Sequence, residues 1–368
     1  MRMLDYVGVK HLVVGATILG VGGGGSPEDG LRVLMDDLNA GHKLLICNFD
    51  ELDPDLYIAT PYYAGSIPAP GSKPEKSKKF TAEVMIKALR LLEGVIENRI
   101  AAVIATEIGG GNTATALHLA ALLGLPLVDG DHAGRSVPEL VHSTYIINGV
   151  PLTPSVVTTA DGDYLVFKEY SSIECYEDIV RAIAAQAGGT VFVLDSPVKV
   201  QVASKVAVNG SVSKAIEIGE AVEKARNEGL NVASIVAEKL DGYVIFKGEI
   251  ERHDLKEKAG FLIGNTYIKG KSGFDGNIFR IWVKNENIMA WIDGEPIVMP
   301  PDLIIVIGED GYGVVNSKLK VGMEVTVVAA PGPNEWKTPK GLEVVGPRHF
   351  GFNYDYIPVE RLVEKVLR

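Results

Sequence analysis

Residues 128–139 read VDGDHAGRSVPE and place Asp129, Asp131, His132, Arg135 and Glu139 within twelve positions. An aspartate within reach of a histidine can take a proton from water, and an arginine fork can hold a substrate carboxylate. Asp129 or Asp131, with His132, is therefore a candidate general base, and Arg135 and Glu139 are candidate substrate contacts. The plainer alternative is an Asx turn with a satisfied histidine, since Asp-Gly is a common turn former. Two carboxylates and one imidazole also suit Zn²⁺ or Mn²⁺. No HxH, HExxH or CxxC accompanies them, so the metal stays undefined and the sequence requires no cofactor.

Two glycine-rich stretches add backbone donors. In GVGGGG, Gly22, Gly23, Gly24 and Gly25 precede a helix start and can cradle an anion; the other reading is a tight turn between helices. The stretch fits neither a dinucleotide loop, which needs a preceding strand, nor a P-loop, which needs Lys then Ser or Thr. In TEIGGGNT, Glu107 is either a helix-dipole partner or a site acid, and Gly110, Gly111 and Asn112 open the next helix. No GxSxG or SxxK supplies a nucleophile. Cys47 lies in an apolar run and Cys175 lacks a basic neighbour, so neither thiol is a nucleophile. His118 reads as core, and Trp282 and Trp291 as packing of a β-rich part.

The elements that must position these groups follow from periodicity. Helices are expected over 5–19, from Ser26 to about 40, over 81–96, from Asn112, near 173–187 and over 211–228. Apolar runs ending in TEIGGG and VDGD read as buried strands of a largely parallel sheet. In such sheets ligands bind beyond strand C-termini, so the loops after residues 106 and 128 are expected to share one pocket. From about 231, short alternating runs with turn signals indicate a β-rich part, closed by a terminal helix. The fold class is α/β, α+β overall: an N-terminal α/β domain over 1–170 and a β-rich C-terminal domain over 171–368. The segment 61–79, with its basic KPEKSKK, reads as a solvated loop or a lid.

At 368 residues with 46% hydrophobic and 23% charged residues, the chain has material for two cores. A net charge of −11 argues against nucleic acid as a partner. No run is long and apolar enough for a membrane span or signal peptide, and the two separated cysteines fit a reducing cytoplasm. Glutamine occurs only at Gln186 and Gln201, in keeping with a thermophilic source.

Six ordered segments, LGVGGGGSPEDG, TEIGGGNT, VDGDHAGRSVPEL, SKAIEIGEAVEKAR, GFLIGNTYIKG and GLEVVGPRHFGFNYDYIPVERL, resemble the DUF917 proteins, a family also named after S-methyl thiohydantoin desulfurase. The resemblance runs from about residue 5 to 362. It implies a cytoplasmic two-domain protein that removes an S-methyl thiol hydrolytically from a thiohydantoin ring, in the company of hydantoinase and oxoprolinase enzymes. His132 and Ser136 depart from the family pattern, which has smaller or apolar residues there.

The expectation is a hydrolase of a small thiohydantoin- or hydantoin-like cyclic amide, compatible with a homo-oligomer and with a divalent metal. The alternative is a non-catalytic subunit that binds a small anion and partners a hydantoinase- or oxoprolinase-type enzyme. A nucleotide-dependent enzyme ranks behind both.

Overall fold

A computed structural model describes residues 1–65, 80–258 and 260–366. The basic stretch of the expected lid thus lies outside the described residues.

Each early helix begins where a side chain can accept an orphan amide. Asp5 accepts from Gly8 N at 2.8 Å to start Tyr6–Leu19, and Ser26 accepts from Asp29 N at 3.1 Å to start Pro27–Asn39. Thr81 does the same for Ala82–Ile96. The sequence expectations for these helices hold to within a residue or so.

The first sheet runs Arg2–Met3, Leu45–Cys47, Leu127–Asp131, Ile100–Ala105, Tyr57–Gly65, Thr190–Lys199, Ser155–Thr158, Tyr164–Phe167, with Val208–Asn209 paired to Leu127–Asp131. Its middle four strands are parallel, and the strands beyond Tyr57–Gly65 are antiparallel. The central strands are buried on both faces, which their continuous apolar runs require. Thr190–Lys199 and Val208–Asn209 belong to this sheet, so the chain between 171 and 209 is built into the first layer.

The second sheet is antiparallel and curled, in the order Glu295–Val298, Glu286–Ile292, Ile278–Lys284, Phe261–Gly270, Tyr243–Lys258, Glu324–Ala330, Leu303–Gly308. It starts later than the expected 231, because Asn231 caps a further helix, Val232–Lys239, whose Val232, Ala233, Val236 and Ala237 form one buried face. The terminal helix Val359–Val366 docks on this sheet through Val359 and Leu362.

A helical layer lies between the sheets. One continuous core joins Ile46, Val103 and Leu127 of the first sheet to Leu12, Ile18, Ile216 and Val222 of the helices and to Ile305, Ile307 and Val328 of the second sheet. Its tightest contact is between Tyr6–Leu19 and Ser211–Asn227. A Cβ on Gly15 would lie 1.7 Å from Ala215 O, and one on Gly219 1.8 Å from His11 O. Both positions therefore exclude any side chain.

Helix propensity alone predicts that Gly219→Ala stabilises by about 0.5–1 kcal/mol. The clash with a rigid backbone carbonyl dominates, and the variant is expected to lose about 2 kcal/mol or more. A shift of the urea midpoint to higher denaturant would show that the two helices can separate freely.

Candidate functional site

A cavity of about 330 Å³ lies where the first sheet's strand ends meet the second sheet. Its wall includes Gly24, Gly25, Tyr62, Thr106, Glu107, Asn112, Glu139, Arg181, Asn285 and Glu286.

Glu107 sits just past the C-terminal end of Ile100–Ala105 and is 8% exposed. Its Oε1 accepts from Asn112 Nδ2 and its Oε2 from Val137 N at 2.7 Å. Burial outweighs these donors and pushes the carboxyl up to about 7. Glu286 opens a strand whose every residue is buried, and is itself 3% exposed. Its Oε2 is buried without a hydrogen-bond partner, as is the hydroxyl of the neighbouring wall residue Thr106. Burial, reinforced by the negative charge of Glu107, drives Glu286 well above the usual carboxylate range. Two buried carboxyls, one from each layer, thus line the same cavity.

The seam is held by backbone. Gly24 O accepts from Gly111 N and Asn112 N at 2.9 Å, Val21 O accepts from Asn287 N at 2.8 Å, and Gly22 O accepts from Asn316 N at 2.7 Å. Gly24 has φ +78°, and a Cβ there would lie 2.5 Å from Gly109 Cα. A Cβ on Gly23 would lie 2.0 Å from Glu286 Oε1. The glycines serve close approach of three chain segments more than they form an open cradle. Gly24, Gly25 and Asn112 reach the cavity wall, whereas Gly22, Gly23, Gly110 and Gly111 stand behind it.

The ionisable cluster at 129–135 is spent on structure. Asp129 Oδ1 accepts from Ser213 N at 2.9 Å in the first turn of Ser211–Asn227. Asp131 is fully buried, its Oδ2 held by Ala133 N and Gly134 N, and burial pushes it up to about 7. His132 stacks on Tyr145 with ring centroids 3.8 Å apart and faces Thr60 Oγ1 at 3.2 Å. Burial lowers it to about 3, so the ring is neutral and sealed.

Arg135, the expected substrate clasp, is turned to backbone carbonyls. It is 1% exposed, and its guanidinium donates to Ser136 O at 3.1 Å, Asn287 O at 2.9 Å, Pro301 O at 3.1 Å and Asp302 O at 3.2 Å. The fork ties the first layer to the second sheet and does not line the cavity. Of the expected residues, the structure brings together Glu107, Gly24, Gly25, Asn112 and Glu139, and leaves Asp129, Asp131, His132 and Arg135 behind the wall. His118 is half-buried and pairs with Asp37 at 2.7 Å.

Sequence reasoning missed Glu286. The available signal was the polar trio Asn285, Glu286, Asn287 interrupting the apolar runs FRIWV and IMAWI. Asn285 has φ +58°, which lets the chain turn between two paired strands and direct Glu286 inward.

The described cavity wall carries four carboxylates, Glu107, Glu139, Glu177 and Glu286, against one cation, Arg181. Arg181 donates to Glu177 from Nε and Nη2 and to Gly65 O, so its charge is already answered. Glu139 pairs with Lys284.

Residues 7–169 match the S-Me-THD-like N-terminal domain and residues 171–359 the S-Me-THD-like C-terminal domain. No curated protein matches the chain. The fold is similar to that in a crystal structure of a protein from Chromobacterium violaceum, with a TM-score of 0.79 and 23% identity over 98% of this chain and 100% of that one.

Arg135→Met should leave up to four buried carbonyls unanswered, each costing about 1–3 kcal/mol. The expected result is a loss of more than about 3 kcal/mol in chemical denaturation. A variant of parental stability would return Arg135 to the list of ligand contacts.

Proposed function

Because the chain belongs to the S-Me-THD-like family, we propose that it hydrolyses a small five-membered cyclic amide of the S-methyl thiohydantoin class, with Glu107 and Glu286 as its acid–base pair. The observation that carries this reading is that two buried carboxyls, one from each layer, line one cavity. Two interacting carboxyls in a dry site do not both ionise readily, so one proton is shared near neutral pH. One member is then a base while the other is an acid.

The chemistry balances with water alone. Water adds to the ring carbon that bears sulfur, giving its proton to the ionised carboxylate, while the ring nitrogen takes the proton of the neutral one. The adduct's hydroxyl then becomes the ring carbonyl, its proton passes through the pair to sulfur, and methanethiol leaves. Asn112 holds Glu107 in place through Oε1.

Electrostatics favour an uncharged ring over an anion. Glu177 and Glu139 are paired, and Arg181 has no charge to spare. A small-anion-binding subunit would need a free cation that the described wall lacks, so the catalytic reading is preferred.

Glu286→Gln and Glu107→Gln are each expected to lower the rate of methanethiol release by about 10²–10⁴-fold, followed with a thiol-reactive dye. Their effect on stability has a definite sign. A carboxyl raised from 4.5 to about 7 on folding favours the native state while both states are protonated and loses that advantage as pH rises through the folded value. Above about pH 7 the native protein carries the cost of a dehydrated charge, on the order of 1–3 kcal/mol, which the glutamine relieves. Glu286→Gln, whose amide replaces an unpartnered oxygen, should therefore melt higher than the parent in mildly alkaline buffer while being inactive. A glutamine variant that turns over the ring at the parental rate would sink the assignment.

A further inference from the structure

Glu139 and His142, three residues apart, meet His349 from the far end of the chain beside the cavity. One ligand atom from each lies within 4.8 Å of the others, and this is the sole such set of His, Cys, Asp and Glu side chains among the described residues. Glu139 Oε2 lies 3.3 Å from His349 Nε2, and the two imidazoles meet edge to face with centroids 4.8 Å apart. His142 is 1% exposed, and its Nε2 is buried without a close hydrogen-bond partner, the Val344 backbone interacting only weakly with the ring. A buried nitrogen held this loosely has capacity for a stronger partner. The ring's Nδ1 accepts from the Glu139 amide at a long 3.3 Å, so a cation at Nε2 requires the ring proton to move to Nδ1 and that weak bond to be given up.

From this geometry we infer a divalent metal site of the Zn²⁺ class, with Glu139, His142 and His349 as its three protein ligands. Two imidazoles and one carboxylate match the borderline-soft donor set that zinc prefers over magnesium or calcium. Three protein ligands leave a fourth position for water or a ligand atom. Glu139 also lines the cavity, so that position borders the same space. Phe350 packs against both imidazoles, while His349 stays open to solvent.

Lys284 occupies the competing role. Its ammonium pairs with Glu139 Oε1 and lies over the Phe261 ring. A bound ion would displace it from that carboxylate, toward the field of Glu286 two residues along the chain. The set differs from Asp129, Asp131 and His132, the ligands suggested by sequence spacing. It is also independent of the ring-hydrolase reading, because it predicts ion binding without substrate.

Chelator-stripped full-length protein would be titrated with Zn²⁺ by calorimetry, and with Co²⁺ as a visible-absorption probe of the coordination. Cys175→Ser, which removes the exposed thiol, serves as background. The expected result is one ion per chain and a Co²⁺ spectrum with nitrogen and oxygen ligands. His349→Ala should weaken binding at least about 100-fold, since outer-shell changes alone cost 10–100-fold. Lys284→Met should tighten binding by about tenfold by removing the competing charge, and this variant keeps all three ligands. Absence of stoichiometric binding in both the background protein and Lys284→Met, or equal affinity in His349→Ala, would overturn the site.

Discussion

Gly24 and Gly109 touch backbone to backbone, and the rest of the site depends on that contact. A Cβ on Gly109 would lie 2.3 Å from Gly24 Cα. With no side chain between them, the loop after Tyr6–Leu19 can lie directly on the loop after Ile100–Ala105. That approach lets Gly24 O accept the amides that open Asn112–Leu123. It also brings Gly23 against Glu286 Oε1 from the second sheet. Three segments from three parts of the sequence are thereby fixed relative to one another with no flexible side chain as spacer.

Such close packing has an electrostatic consequence. Carboxyls buried in and between the packed layers lose their solvation. Asp131, Asp195, Glu107 and Glu286 are all pushed upward by burial. Their fates differ according to what answers them. Asp131 takes two amides on Oδ2 and keeps an unanswered Oδ1, but it does not line the cavity, and Asp195 accepts from Tyr62 at 2.7 Å and Ser196 at 3.0 Å. Glu286 keeps an unanswered oxygen next to an open cavity. Perturbed acids in polar cages are structural, whereas one with spare capacity beside a void is the kind of group that chemistry uses.

The architecture was largely legible in the sequence because caps and apolar runs are local signals. Asp5, Ser26 and Thr81 announce their helices, and the strands ending near Ala105 and Asp131 are continuous apolar runs. The cavity's lining was legible in part. Glu107 and Asn112, which line it, follow from the rule that ligands gather at strand C-termini. The dense cluster at 129–135 does not line it, because density of charge says nothing of direction. Asp129 turns to a helix N-terminus and Arg135 to carbonyls more than 150 residues away in sequence. Those carbonyls, and Glu286 itself, come from the second sheet, and no single-sequence periodicity reveals which loop two sheets will share.

Arg135 explains why the seam can hold a partial negative charge at all. Its guanidinium is buried, and the charges of Glu286, Asp302 and Glu107 hold it protonated against the cost of burial. Asp302 already accepts from Gly332 N, Tyr356 and Val359 N and has Lys337 3.7 Å away. The remaining positive field of Arg135 falls on Glu107 and Glu286 from behind the wall. One buried cation compensates about one buried anion, while a second negative charge in the same low-dielectric space has no partner. Charge balance, and not contact with substrate, is how Arg135 bears on the cavity: it supports the state in which one carboxyl is ionised and the other keeps its proton.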